Sequence, residues 1–238
     1  MDMPEAKIGR LRARYKRFFA DIDLPGQDVI DADEIITAHC PNGGKMLGLL
    51  DARNLVLITP VKNPANKLRW RLEAIQTGGV WVGMNTQWPN KLIPKAIAEG
   101  LIPQIKGYAS IKPEVKYGRN SRIDLLASGH PSLPDAYIEI KNCHFSRTPG
   151  LAEFPDCEAA RSTKHMYELI DMVAAGFRAV VVICVQRDDV DRFDAARDCD
   201  PDFGRAYDAA RAAGVEIIAV SFEVSPQGWR FAGPLTVV

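Results

Sequence analysis

The sequence predicts an α/β chain, α+β overall: a mostly β module followed by an α/β domain with a mixed central sheet. Three observations carry that prediction. Up to about residue 85, short strand-like runs alternate with turn signals and no long amphipathic helix interrupts them, the pattern of a small barrel or sandwich. Beyond that point the runs follow the order helix, three strands, helix, strand, helix, strand. Finally, "RAVVVICVQ" is a continuous β-branched run, the mark of a strand covered on both faces and fed by a parallel crossover. The boundary falls near residues 82–90, which gives domains 1–85 and 86–238.

In the first part, "RYKRFFADIDL", "DVIDADEIITAHC", "GLLDARNLVLITPV" and "KLRWRLEAIQ" are separated by "LPGQ", "PNGG" and "KNPAN", rich in turn formers. The character changes after "GGVWVGMNTQWPN". Asn90 is suited to cap a helix over "KLIPKAIAEG", with Pro94 tolerated near its start and Gly100 at its stop. Strands follow around "ASIKPEVKYG", "RIDLLAS" and "AYIEIKN". In "EAARSTKHMYELIDMVAAGF", Thr163, Met166, Tyr167, Ile170, Val173, Ala174 and Phe177 recur at three and four, which predicts an amphipathic helix with that face buried. "DFGRAYDAARAAG" reads as a further helix and "VEIIAVSFEV" as a further strand.

Composition is that of an ordinary globular chain of 238 residues, with 47% hydrophobic and 25% charged residues and a net charge of +0. Binding to a polyanion must therefore come from local patches. No apolar run reaches transmembrane length, and "MDMPEAKIGRLRARYKRFF" lacks a signal-peptide core, so the expectation is a cytoplasmic protein with no membrane partner. The five cysteines contain no CxxC pair and read as reduced thiols.

The chemistry-bearing residues lie in the strands after residue 110. Acid-x-Lys triplets occur three times, at Glu5, Glu114 and Glu139, where about one or two arise by chance, so context must choose. Glu139 and Lys141 are two apart in a strand and emerge on one face. Asp124 lies fifteen positions earlier in the adjacent strand. Paired as a hairpin, the strands bring Asp124 and Glu139 together, a hard oxygen site for Mg²⁺ or Mn²⁺ with a backbone carbonyl at Ile140. Lys141 would orient an attacking water, and Glu114 would add a third carboxylate. The alternative for the same residues is a cross-strand ion pair between Lys141 and one of the acids. Of the literal Pro-Asp pairs, Pro134-Asp135 reads as a turn.

Asp124 with Glu139-Ile140-Lys141 resembles the signature of the PD-(D/E)xK nuclease superfamily. "YKRFFADI", "AHCPNGGKM", "EVKYGRNSRIDLL", "YIEIKN" and "FPDCEAARSTKHMYEL" together resemble the sugar fermentation stimulation protein family over nearly the whole chain. The resemblance implies an OB-like barrel, a PD-(D/E)xK nuclease-like domain, DNA binding, and a link to sugar use, maltose in particular. Under it, the catalytic and metal-holding positions fall on Glu114, Asp124, Glu139 and Lys141. Two functions stay open: a Mg²⁺-dependent phosphodiesterase, or a catalytically silent DNA-binding regulator of sugar-metabolism genes. Oligomeric state is left open, a homodimer being one option.

Two basic clusters fall in the first domain. Lys7, Arg10, Arg12, Arg14, Lys16 and Arg17 occur with no acid among them, and Arg10, Arg12, Arg14 and Lys16 alternate as one face of an extended strand. Lys62, Lys67, Arg69 and Arg71 surround Trp70. Cations around an aromatic platform hold single strands in small barrels; a solvated charged face over a core tryptophan is the competing reading. Arg161 and Lys164 are placed on the polar side of the long helix, where they would reach phosphates of DNA, single- or double-stranded. His165 is placed at the surface beside Glu168, and Gln186 near the metal site.

Overall fold

The computed structural model describes residues 1–3, 5–25, 34–118 and 121–238. The start of the predicted strand "DVIDADEIITAHC" and part of the "LPGQ" turn lie outside the described residues.

The first domain holds strands β1 (Lys7–Tyr15), β2 (Phe19–Leu24), β3 (Glu34–His39), β4 (Leu55–Pro60), β5 (Trp70–Thr77) and β6 (Val80–Gly83). Among the described residues they form one sheet in the order β3-β2-β1-β4-β5-β6, and a parallel β3–β5 pairing closes it. The result is a five-stranded barrel with β6 as a hairpin extension. Alternation fills it: Leu11, Ile22, Ala38, Val56, Ile58, Leu72 and Ile75 point inward, and Met46 and Leu49 from the β3–β4 connection plug it. Gly9 is required where β1 crosses β2, because a Cβ there would meet the Ile22 side chain and lie 2.9 Å from the Asp23 carbonyl.

The predicted run "RYKRFFADIDL" is not one strand. Lys16 and Arg17 adopt left-handed backbone (φ 47° and 62°) and turn the chain between β1 and β2. The register also slips between Leu11 and Ala13, so Arg12 sits in a bulge. The proposed single basic face of Arg10, Arg12, Arg14 and Lys16 is therefore broken twice.

The second domain begins with α1 (Pro89–Ala98) and continues through β7 (Ser110–Tyr117), β8 (Ser121–Ser128), β9 (Ala136–Cys143), β10 (Phe145–Thr148), β11 (Gly150–Phe154), α2 (Ala160–Ala174), β12 (Arg178–Val185), β13 (Val190–Ala195), α3 (Pro201–Ala213), β14 (Glu216–Ser225) and β15 (Gly228–Val237). Among the described residues they build a nine-stranded mixed sheet, β10-β11-β13-β15-β14-β12-β9-β8-β7. The centre β9-β12-β14 is parallel, as the unbroken apolar run of β12 requires. Helices α2 and α3 cover one face; α1 and the barrel cover the other, where Leu57 and Ala74 join Leu92, Ile138, Val182 and Trp229 in one core. Strands β10, β11, β13 and β15 were not legible as strands. Asn90 is not the α1 cap: that position is Trp88, with no side-chain cap, and Asn90 lies within the first turn.

The domains are also joined by polar contacts. Gly83 N–H donates to the Gln186 carbonyl (2.8 Å), and the Gln186 side chain donates to the Asn85 carbonyl and accepts from Trp229 Nε1 (2.8 Å). The first three residues return to the second domain, where Met1 and Met3 hydrogen-bond the β14–β15 turn region. Asp156 accepts the Met46 N–H (2.6 Å) and faces His144 Nε2 at 3.4 Å. Burial alone pushes its carboxyl up, but the His144 contact and the Met46 N–H hold it at about 2. A folded value below the unfolded one adds stability above about pH 4, lost as pH falls through 2. Asp156→Asn is expected to lower stability at pH 7 by about 1–2 kcal/mol after allowance for solvent screening, and by little at pH 2; urea unfolding at both pH values measures it.

Candidate active site

The sheet opens where the acids lie. β8 and β9 pair only through Leu125–Ile138, Leu126–Tyr137 and Ala127–Ala136, so the next rung, Asp124 opposite Glu139, is unpaired. On the other edge of β8, the β7 register skips Glu114, whose backbone is left-handed (φ 55°). The Asp124 carboxylate fills the gap. Its Oδ2 accepts the Ile140 N–H (2.7 Å), and its Oδ1 accepts from Asn90 Nδ2 of α1 (3.2 Å). The N–H and C=O of one strand residue point to the same edge, so the Ile140 carbonyl opens into that gap as well.

Alternation along β9 sorts its side chains. Ile138 and Ile140 pack towards α1, whereas Glu139 and Lys141 face α2. Both are buried, at 3% and 7% exposure. Lys141 Nζ donates to Glu139 Oε1 at 2.9 Å, and His165 Nδ1 lies against both Glu139 Oε1 and Lys141 Nζ (3.3 Å from the amine). Arg161 Nε reaches His165 Nε2 at 3.4 Å. Further along α2, Glu168 Oε1 accepts from Ser121 Oγ (2.9 Å) and lies 3.3 Å from Lys164 Nζ, beside a cavity of about 490 Å³.

Electrostatics separates the two carboxylates. Burial and then the Glu139 charge raise Asp124 to about 6, against the Ile140 N–H, Lys141 and Asn90. Burial also pushes Glu139 up, but the His165 hydrogen bond and the Lys141 charge outweigh it and hold Glu139 below the usual value. Tyr117 is pushed up by burial and by Glu139, Glu168 and Asp124 around it. Among the described residues, Glu139 Oε2, Glu168 Oε2 and the Tyr117 hydroxyl are buried without a hydrogen-bond partner. No three described His, Cys, Asp or Glu side chains converge as a ligand cluster. What suits a divalent cation is a smaller set: two mutually repelling carboxylates, an orphaned Glu139 oxygen and the Ile140 carbonyl.

Of the residues named from sequence, Asp124, Glu139, Ile140 and Lys141 come together. Glu114 stands apart, exposed on β7, and the further acid beside Tyr117 is Glu168. His165 is at the centre rather than at the surface, buried at 4% exposure. The face that α2 buries is His165, Met166, Glu168 and Leu169, with Tyr167 and Phe177 exposed, because the helix meets a polar strand. A polar His-x-x-Glu on a buried stripe was the available signal, masked by the apolar period beside it. Gln186 serves the domain junction instead of the acids. Asp135 accepts from Gly129 N–H in the β8–β9 turn.

The basic residues divide similarly. Arg14 is consumed by the carbonyls of Arg17, Asn42 and Gly44 (2.7–2.9 Å), Arg12 pairs with Asp23 at 2.9 Å, and Arg10 reaches the Arg53 carbonyl. Lys16 and Arg17 are exposed in the β1–β2 turn. Lys62, Lys67 and Arg69 are exposed in and beside the β4–β5 connection, and Trp70 packs half-buried on the barrel core with Lys7 Nζ 5.1 Å from its ring centre. Lys164 and Arg161 are exposed along α2. No described helix is long and apolar enough to cross a membrane.

A closed OB-like barrel fused to a mixed sheet with helices on both faces defines a two-domain α/β protein. Residues 13–84 match the SfsA N-terminal OB domain and residues 87–228 the sugar fermentation stimulation protein RE domain. The chain belongs to the sugar fermentation stimulation protein family, SfsA. It is 48% identical over 233 residues to the homolog from Caulobacter vibrioides (98% of this chain, 95% of that one) and 49% identical over 223 residues to that from Methylobacterium nodulans (92% and 90%). Its fold matches Pyrococcus furiosus SfsA, solved in complex with Ca²⁺, with a TM-score of 0.87 and 25% identity over 100% of this chain and 98% of that one.

Proposed function

We propose that the chain is a Mg²⁺- or Mn²⁺-dependent phosphodiesterase acting on DNA. The observation that carries this reading is Asp124 in the β8–β9 gap, raised to about 6 by burial and the charge of the neighbouring Glu139, with Glu139 Oε2 buried and unpartnered. Two carboxylates in that state favour a cation between them. Asp124, Glu139 and the Ile140 carbonyl would hold it; that the P. furiosus relative was solved in complex with Ca²⁺ supports a divalent cation as ligand. When bound, the cation would polarise the phosphate and stabilise charge on its oxygens.

The chain's own residues supply the rest. Lys141, tethered by Glu139 and His165, presents its remaining N–H groups to a phosphate oxygen or an attacking water. His165 keeps Lys141 and Glu139 in register, and Arg161 steadies His165 from outside. Asn90 orients Asp124 from the opposite face of the sheet. A second reading, a silent DNA-binding regulator of sugar use, draws on one feature: Glu139 Oε1 is already engaged by both Lys141 and His165.

Incubating the protein and Mn²⁺ with single- and double-stranded DNA separates the two. The phosphodiesterase reading expects cleavage that needs metal and disappears in Lys141→Ala. Metal binding and DNA binding without cleavage would establish the regulator instead.

A further inference from the structure

Barrel register assembles a second site, in which Lys67 and Arg71 of the second basic cluster meet aromatic rings from β1, β2 and β3. Across β1, β2, β3 and β5, the paired residues Tyr15–Phe19, Phe19–His39 and His39–Arg71 form a single rung. Tyr15 and Phe19 are stacked, with ring centres 5.5 Å apart and planes 13° apart. Beside them opens a cavity of about 620 Å³ whose lining includes Phe19, His39, Lys67, Leu68, Arg71 and Gln87, with no acid among the described lining residues. Among the described residues Arg71 makes one long contact, Nη1 to Gln87 Oε1 at 3.4 Å, leaving its other N–H groups for an anion. Burial and the neighbouring Arg71 push His39 below its usual value, so at neutral pH its ring is an uncharged flat surface.

Flat rings in a row with two cations at one end match one ligand chemistry: a planar base joined to a phosphate. A duplex does not offer that combination, because its bases are already stacked and paired. The cavity also leads towards the acids. Gln87 on its rim is three residues before Asn90, a reach of about 11 Å at most, and Asn90 touches Asp124.

We propose that the cavity bounded by Phe19, His39, Lys67 and Arg71 holds an unpaired nucleotide of single-stranded DNA, with the strand running past Gln87 to the Asp124–Glu139 gap. The base stacks on the Phe19–His39 rung, and Arg71 and Lys67 take its phosphate. The destination of the strand rests on the phosphodiesterase reading; the occupant of the cavity does not.

The test is fluorescence anisotropy of the full chain, metal-free in EDTA, with labelled oligo-dT and with a duplex of equal length. The single strand is expected to bind at least tenfold more tightly than the duplex. Arg71→Ala and Phe19→Leu are each expected to weaken it roughly tenfold, Phe19→Leu keeping an apolar side chain so that the barrel still folds. Lys95→Ala, on α1 outside the cavity lining and paired with Glu99, should leave binding unchanged. Duplex binding equal to or tighter than single-strand binding, or unchanged affinity in both cavity variants, overturns the proposal even if the protein cleaves DNA. Absence of cleavage with the single-strand preference intact would overturn only the phosphodiesterase reading.

Discussion

Asp124→Asn is expected to weaken Mn²⁺ binding by at least tenfold and, in the metal-free protein at pH 7, to raise the stability of the fold. The two effects have one cause. Asp124 sits in a gap that burial and Glu139 make hostile to a second negative charge, which is why its carboxyl is raised from 3.8 to about 6. A folded value above the unfolded one means that the group stabilises the fold below about pH 4 and that this contribution is lost as pH rises through 6. The displacement corresponds to about 3 kcal/mol, reduced to about 1–2 kcal/mol by the solvent that reaches this half-buried side chain. Asparagine removes the penalty, keeps an oxygen for the Ile140 N–H, and meets an Asn90 amide that can turn its own oxygen inward. Isothermal titration with Mn²⁺ and urea unfolding at pH 5 and 8 measure both arms. A variant that loses stability at pH 8 while binding Mn²⁺ normally would show that the charge at position 124 is structural.

Lys141→Met is expected to produce the opposite stability result, a loss of about 3 kcal/mol, together with loss of any hydrolysis. The Lys141 and Glu139 side chains are 9% and 4% exposed, and Glu139 Oε2 already lacks a partner. Removing the ammonium leaves a buried carboxylate with His165 as its remaining hydrogen-bond partner among the described residues. Adding Glu139→Gln should therefore recover part of the loss, so that the double variant is more stable than the sum of the single ones predicts. Strict additivity in denaturant unfolding would mean that the two side chains do not share an environment, and the tethered-lysine account would fall with it.

Much of this is legible in the sequence. The two-residue spacing of Glu139 and Lys141 placed them on one face of β9, and the hairpin arrangement of β8 and β9 brought Asp124 to the same end, because side-chain direction in a strand follows from counting. The unbroken apolar β12 announced a strand covered on both sides. Other features were hidden by their local pattern. The apolar spacing of α2 pointed to the face with Met166, Tyr167 and Phe177; Met166 is buried, but the stripe beside it carries His165 and Glu168, since burying a polar pair is favourable only where β9 and β8 offer them partners. The alternating arginines of β1 looked like one surface until a bulge at Arg12 and the turn at Lys16 divided them.

Side-chain period, turn chemistry and charge spacing depend on residues a few positions apart, and these suffice for the two-domain order, the central parallel strand and the acid-x-lysine face. The gap that admits Asp124, the inward turn of His165 and the Tyr15–Phe19–His39–Arg71 rung depend on which strand lies beside which, and in what register. A slip of one residue would send each of those side chains to the other face. Only the packing of distant segments sets that register, so the chemistry written along the chain becomes a site when the sheet closes.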